Sequence, residues 1–91
     1  MTLDELYQII KDRKTNKPEG SYVVSLFEEG QARITQKVGE EAVEVVIAAN
    51  RGKKDELISE MADLWFHCLI LLASADIKPE EILAELAKRS K

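Results

Sequence analysis

Four carboxylates in two pairs are the residues of this 91-residue chain whose type and spacing could do chemistry. Glu41 and Glu44 stand three apart, and so do Glu60 and Asp63. On an α-helix that spacing puts both members of a pair on one ridge, ~4.5 Å apart in rise. Their surroundings make the pairs unusual. Projected at about 100° per residue, Gln31–Arg51 sets Ile34, Val38, Ala42, Val45 and Ala49 on one broad side. Val43, Val46 and Ile47 extend that apolar surface nearly round the helix, leaving one polar stripe of Arg33, Lys37, Glu40, Glu41 and Glu44. Residues 54–75 repeat the pattern, with Leu57, Ile58, Met61, Leu64, Trp65, Phe66, Leu69, Ile70 and Leu72 interrupted by Glu56, Glu60, Asp63 and His67.

A helix apolar nearly all round is buried by neighbours on several sides, so its narrow charged stripe is not a freely solvated face. Packed antiparallel across a short turn at 51–54, the two helices would bring the four carboxylates together in a mostly apolar bundle. Such charges repel and are poorly solvated. Protonation, Lys37 or Arg33 would relieve this in part, and a divalent cation would relieve it best. Ligands that are all oxygen are hard, which favours Mg²⁺, or Mn²⁺, over zinc or copper. Gly39 costs ~1 kcal/mol relative to alanine inside a helix, and close approach of a helix or ligand beside Glu40 is the expected reason. Acidic pairs at this spacing are common on solvated faces; two pairs on the two most apolar helices favour the metal site. His67 reads first as a hydrogen-bonded core histidine. Cys68, Trp65 and Phe66 read as packing residues.

The elements that must position these groups are all helical. Thr2 and Glu5 have capping-box spacing ahead of Leu3, Leu6, Tyr7, Ile9 and Ile10, and this first helix should fade around Arg13. Residues 14–20 (KTNKPEG) form a polar loop. Ser21 can cap a short helix through Glu29, with Gly30 as its stop. Gly52 stops the first long helix, and residues 76–79 make a turn. Pro79 suits the first position of a last helix that opens with Glu80 and Glu81 and ends in Lys88, Arg89 and Lys91. Only 22–26 is β-like. The fold class is therefore all-α: one domain over 1–91, four or five helices around a central antiparallel pair.

Composition sets the remaining bounds. Hydrophobic residues are 45% and charged ones 33%, a globular balance. A chain this short buries only a little over ~60% of its unfolded surface, so a homodimer is expected, its four-helix core made from the same helix pair of two subunits. One cysteine excludes an internal disulfide, and one histidine excludes a multi-histidine metal site within the chain. Net charge −4 and a pI near 5.0 argue against general nucleic-acid binding. The N-terminus lacks a basic-then-apolar signal pattern, and no uncharged apolar run reaches ~18 residues. The expectation is a cytoplasmic protein with no membrane partner. Positive charge gathers at Lys11, Arg13, Lys14 and Lys17, at Arg33 and Lys37, and at Arg51, Lys53 and Lys54. Arg13, Lys14, Arg33 and Lys37 are the candidates for phosphate contact; Lys53 and Lys54 lie at the far end of the hairpin.

Lys37-Val38-Gly39-Glu40-Glu41-Ala42-Val43-Glu44, followed by Glu60-Met61-Ala62-Asp63-Leu64-Trp65-Phe66-His67, resembles the phosphoribosyl-ATP pyrophosphohydrolases. These are all-α MazG-like nucleotide pyrophosphohydrolases with the signature E-E-x-x-E, a gap, then E-x-x-D. The similarity takes in the Pro-Glu-Gly-Ser-Tyr stretch at 18–22 and the helix from Pro79, nearly the whole chain. It implies hydrolysis of phosphoribosyl-ATP to phosphoribosyl-AMP and pyrophosphate, the second step of histidine biosynthesis. It also implies Glu41, Glu44, Glu60 and Asp63 as Mg²⁺ ligands. Glu40 then stands where a side chain orients the attacking water or holds a second ion, and Lys37 neutralises phosphate oxygens. Ser21 and His67 join Arg13, Lys14 and Arg33 as substrate-contact candidates. With this length and Cys/His complement the single-activity form, without a fused cyclohydrolase, is the expectation. Val23 in place of threonine, and Trp65-Phe66 in place of Leu-Tyr, are mild departures away from the metal positions.

Three rival readings are distinguishable. A MazG-like enzyme for another nucleoside triphosphate would show itself in a substrate panel. A di-iron bundle wants Glu-x-x-His on two helices, which this sequence lacks. A helical dimerisation module would gain no stability from Mg²⁺.

Overall fold

A computed structural model describes residues 1–90, and these form five helices with no strand among them. Lys91, the last expected cation of the final helix, lies outside the described residues. α1 spans Leu3–Asn16, and its start is the expected one: the Thr2 hydroxyl accepts from the Glu5 amide at 3.0 Å. Its end comes three residues past Arg13. Lys14, Thr15 and Asn16 do not break a helix, and the true stop is Pro18, whose ring disfavours α geometry at Lys17. Lys17 turns left-handed (φ 38°) and its amide closes on the Arg13 carbonyl at 3.1 Å.

α2 (Tyr22–Glu29) is capped by Ser21, whose hydroxyl accepts from the Val24 amide at 3.2 Å. Its β-favouring residues turn helical because Val23, Val24 and Leu26 are buried there against the neighbouring helices. Gly30 (φ 95°) then reverses the chain, ending α2 and starting α3 at once. α3 (Gln31–Arg51) and α4 (Lys54–Ser74) are joined at Gly52, left-handed at φ 73°. At 21 residues each, they run ~30 Å and make the most extensive helix contact in the chain.

One face of the α3–α4 pair is covered by α1 and α2. Tyr7, Ile10, Val23, Leu26, Ile34, Leu69, Ile70 and Ala73 form the core, with Phe27 and Phe66 packed against it. Lys14 closes the far end of α4, donating to the Ala73 carbonyl at 3.1 Å and to the Asp76 carboxylate at 3.3 Å. Lys11 joins the same carboxylate. α5 (Pro79–Arg89) begins with the Lys78 amide bonded to the Glu81 carboxylate at 2.8 Å and rests mainly on α1.

The other face is bare. Val43, Val46 and Ile47 of α3 and Ile58 and Trp65 of α4 point outward, Val46 at 60% and Trp65 at 53% exposure. Gly39 meets nothing within 4 Å of where a Cβ would stand, so the close helix approach expected there does not occur within the chain. α4 is long and apolar enough, by length and composition, to cross a membrane (mean hydropathy 1.4). It is also the helix against which α1 and α3 pack, and it carries Glu60 and Asp63 near its middle, where a bilayer penalises charge heavily.

Candidate functional site

The α3–α4 pair brings together Glu41, Glu60 and Asp63. One carboxylate oxygen of each lies within 4.8 Å of the other two. Glu41 and Glu60 are half-buried and Asp63 is exposed, so the cluster opens at the surface of the hairpin. Its charge is felt at Glu60: burial, then Asp63, Glu44, Glu41 and Glu56, push the carboxyl above the ordinary glutamate range. Glu44 stands outside the three-oxygen group. One turn nearer the hairpin end, it is exposed and lines a cleft of about 250 Å³ with Ile47, Ala48, Arg51, Glu56, Ser59 and Glu60. The expected four-carboxylate convergence is thus three plus a neighbour that acts on Glu60 through charge.

Lys37 is the counterion inside the cluster. Its ammonium lies 3.3 Å from Glu40 and 3.3 Å from Glu41, with 19% of the side chain exposed. Burial works against its charge, but the hydrogen bonds to Glu40 and Glu41, with Tyr22 nearby, outweigh that and hold its pKa above the usual lysine value. Lys37 is therefore a fixed positive charge and no base. Glu40 faces outward, accepting from the Gln36 amide at 3.0 Å. That bond first, then Lys37, lowers its pKa below the ordinary value, so it stays a carboxylate. It can orient a water molecule but takes up a proton weakly. Arg33, half-buried one turn before Lys37, adds positive potential at Glu40.

The remaining substrate-contact candidates do not gather at the carboxylates. Lys14 is committed to the end of α4, a tertiary contact between residues 59 apart in sequence. Arg13 lines a cavity of about 440 Å³ with Lys17, Gln31, Ile34 and Ser74. That cavity sits at the start of α3, ten residues before Glu41, or ~15 Å along the helix. Ser21 is engaged as the α2 cap and borders a groove of about 570 Å³ along the 17–22 loop.

His67 departs from its expected substrate contact. It is 5% exposed, and both ring nitrogens are occupied: Nδ1–H donates to the Asp63 carbonyl and Nε2 accepts from the Tyr22 hydroxyl, each at 2.7 Å. The core reading of this histidine is the one the structure supports. Tyr22 had no role in the sequence argument beyond the Ser-Tyr match, since its partner lies 45 residues away. Its position directly after a helix cap was the one available signal.

Chemically, the arrangement is a hard, all-oxygen anionic centre with a built-in cation and a surface opening. These donors fit Mg²⁺ or Mn²⁺, which keep several waters and take one or two carboxylates together with substrate phosphates. The profile of the family described as phosphoribosyl-ATP pyrophosphohydrolase matches residues 3–90. A phosphoribosyl-ATP pyrophosphatase of Pelotomaculum thermopropionicum is 52% identical over 85 residues, covering 93% of this chain and 87% of its own. One from Sulfurisphaera tokodaii is 49% identical over 89 residues, covering 98% and 95% respectively. One from Methylococcus capsulatus is 47% identical over 87 residues, covering 96% and 83%. With 88 of 91 positions inside the profile and a carboxylate cluster at its signature, the chain belongs to the phosphoribosyl-ATP pyrophosphohydrolase family.

Proposed function

We infer that the protein hydrolyses phosphoribosyl-ATP to phosphoribosyl-AMP and pyrophosphate, the second step of histidine biosynthesis. The observation that supports this most is the convergence of Glu41, Glu60 and Asp63 in a chain matched end to end by that family. Those three carboxylates would hold Mg²⁺, with Mn²⁺ as a substitute, and Glu44 is near enough to join them. A bound divalent ion supplies charge neutralisation at the phosphates and a more acidic water.

The chain's own residues then have separate tasks. Lys37, kept cationic, offsets charge on the triphosphate and on the leaving pyrophosphate. Arg33 extends that positive field along α3. Glu40, kept anionic by Gln36 and Lys37, accepts a hydrogen bond from the attacking water and sets its direction. Arg13 and Lys17, at the end of α1, line the cavity at the start of α3, ~15 Å along that helix from Glu41, which leaves them for distal parts of the substrate.

The functional unit is a homodimer. The outward Val43, Val46, Ile47, Ile58 and Trp65 supply the apolar surface a second copy would cover. The radius of gyration, 14.3 Å, exceeds the ~12 Å of a compact domain this size, as expected for half of a four-helix core. The net charge of −4 suits a partner that is a nucleotide and not nucleic acid, and the family's place in amino-acid biosynthesis favours a cytoplasmic enzyme. Pyrophosphate release from phosphoribosyl-ATP, with and without Mg²⁺ and against dUTP, dCTP and ATP, tests the assignment. Metal-dependent turnover confined to phosphoribosyl-ATP is the expected result; preference for another triphosphate would refute it.

A further inference from the structure

A buried imidazole needs a reason, because a leucine would fill the space with no polar group to satisfy. His67 is the buried polar side chain among the described residues. Its Nδ1–H donates to the Asp63 carbonyl, which lies one turn back on the same helix. That bond sets the tautomer, Nε2 of the neutral ring is then an acceptor for the Tyr22 hydroxyl, and the two bonds together hold the ring's orientation. Tyr22 is 46% exposed although its hydroxyl is anchored. It opens α2 directly after the Ser21 cap, and its ring stacks on Phe66 with centroids 6.5 Å apart. α2 packs against α3, where Lys37 touches Glu40 and Glu41. One phenol and one imidazole therefore join the start of α2 to the Asp63 turn of α4, while α2 itself packs against α3.

We propose that Tyr22 and His67 are a positioning pair: the hydroxyl–imidazole–carbonyl chain holds the Asp63 turn in register with Glu41, so that the carboxylates are preset for a divalent cation. The proposal rests on the reading of those carboxylates as a metal site. Packing alone is served by the Tyr22 ring against Phe66, and Tyr22→Phe keeps the ring while removing the bond. His67 Nε2 then becomes a buried acceptor without a partner, and the imidazole loses the constraint that holds it on the Asp63 carbonyl.

The test titrates the ligand-free protein with Mn²⁺ alone, by calorimetry, alongside turnover of phosphoribosyl-ATP. For Tyr22→Phe the metal dissociation constant should rise about three- to tenfold, the range of one lost hydrogen bond. Turnover should fall at limiting metal and recover at saturating metal. KM for phosphoribosyl-ATP at saturating metal should stay within about twofold, while metal-free melting should fall by several degrees as His67 Nε2 is left without a partner. His67→Gln should weaken metal binding similarly, and the double variant should be no worse than either single one, the mark of groups acting as a unit. Parent-like metal affinity in Tyr22→Phe, while Asp63→Asn binds none, would overturn the pair. Undiminished binding by Asp63→Asn would overturn the metal reading and the pair together.

Discussion

Replacing Glu60 by glutamine should move stability and metal response in opposite directions. Glu60 sits among Asp63, Glu44, Glu41 and Glu56, and its carboxyl is pushed up by burial and by their charges. The isosteric amide keeps the packing and removes one repelling charge, so metal-free Glu60→Gln should melt higher than the parent. The parent, however, should gain from Mg²⁺. At a concentration ten times the dissociation constant the linkage is RT ln 11, about 1.4 kcal/mol. For a domain of 91 residues that corresponds to a rise of roughly 6–11 °C. With one anionic ligand exchanged for a neutral amide oxygen, the Mg²⁺-induced rise should shrink to under about 2 °C, and pyrophosphate release should fall about 100-fold. Differential scanning fluorimetry over a Mg²⁺ series, paired with a pyrophosphate assay, reads all three. A Glu60→Gln protein that melts lower without metal and keeps the full Mg²⁺ response would refute the reasoning.

The same cluster sets a pH dependence. Because the Glu60 pKa is raised on folding, the folded state binds more protons than the unfolded chain just above the ordinary glutamate range, and metal-free stability should fall as pH rises through that window. Saturating Mg²⁺ should flatten the slope, measured by urea melts at several pH values. Lys37→Met removes the cation between Glu40 and Glu41; turnover should fall about 100-fold, as for loss of one preorganised donor, and the metal-free melting temperature should drop. Val46→Glu places a charge on the outward apolar face; sedimentation should report the mass of one 10.3 kDa chain, against the twofold mass expected of the parent.

Much of this architecture is legible in the sequence because local signals agree with the tertiary outcome. Gly30 and Gly52 occupy left-handed or otherwise glycine-favouring turns, and they fixed both ends of α3 where the pattern put them. Thr2 and Ser21 cap as their positions require. Glu41, Glu60 and Asp63 were readable because helical spacing on two apolar helices leaves few ways to orient them. What stayed hidden depends on contacts between distant residues. Lys14 is indistinguishable from a free loop lysine until the end of α4 arrives beside it. The occupation of His67 needs Tyr22, brought close only when α2 packs against α1 and α3 beside α4. The offset of Glu44 follows from the way the two helices pack together, which periodicity does not specify. Among the described residues nothing stands within 4 Å of a Cβ at Gly39, so the close approach expected from its place inside a helix is not made by the neighbouring helices.

The most direct measurement is an anomalous difference map from crystals grown with Mn²⁺. One strong peak bonded to oxygens of Glu41, Glu60 and Asp63 is expected, with Lys37 still against Glu41. Fully occupied Mn²⁺ elsewhere on an active enzyme, with those three carboxylates turned apart, would contradict it.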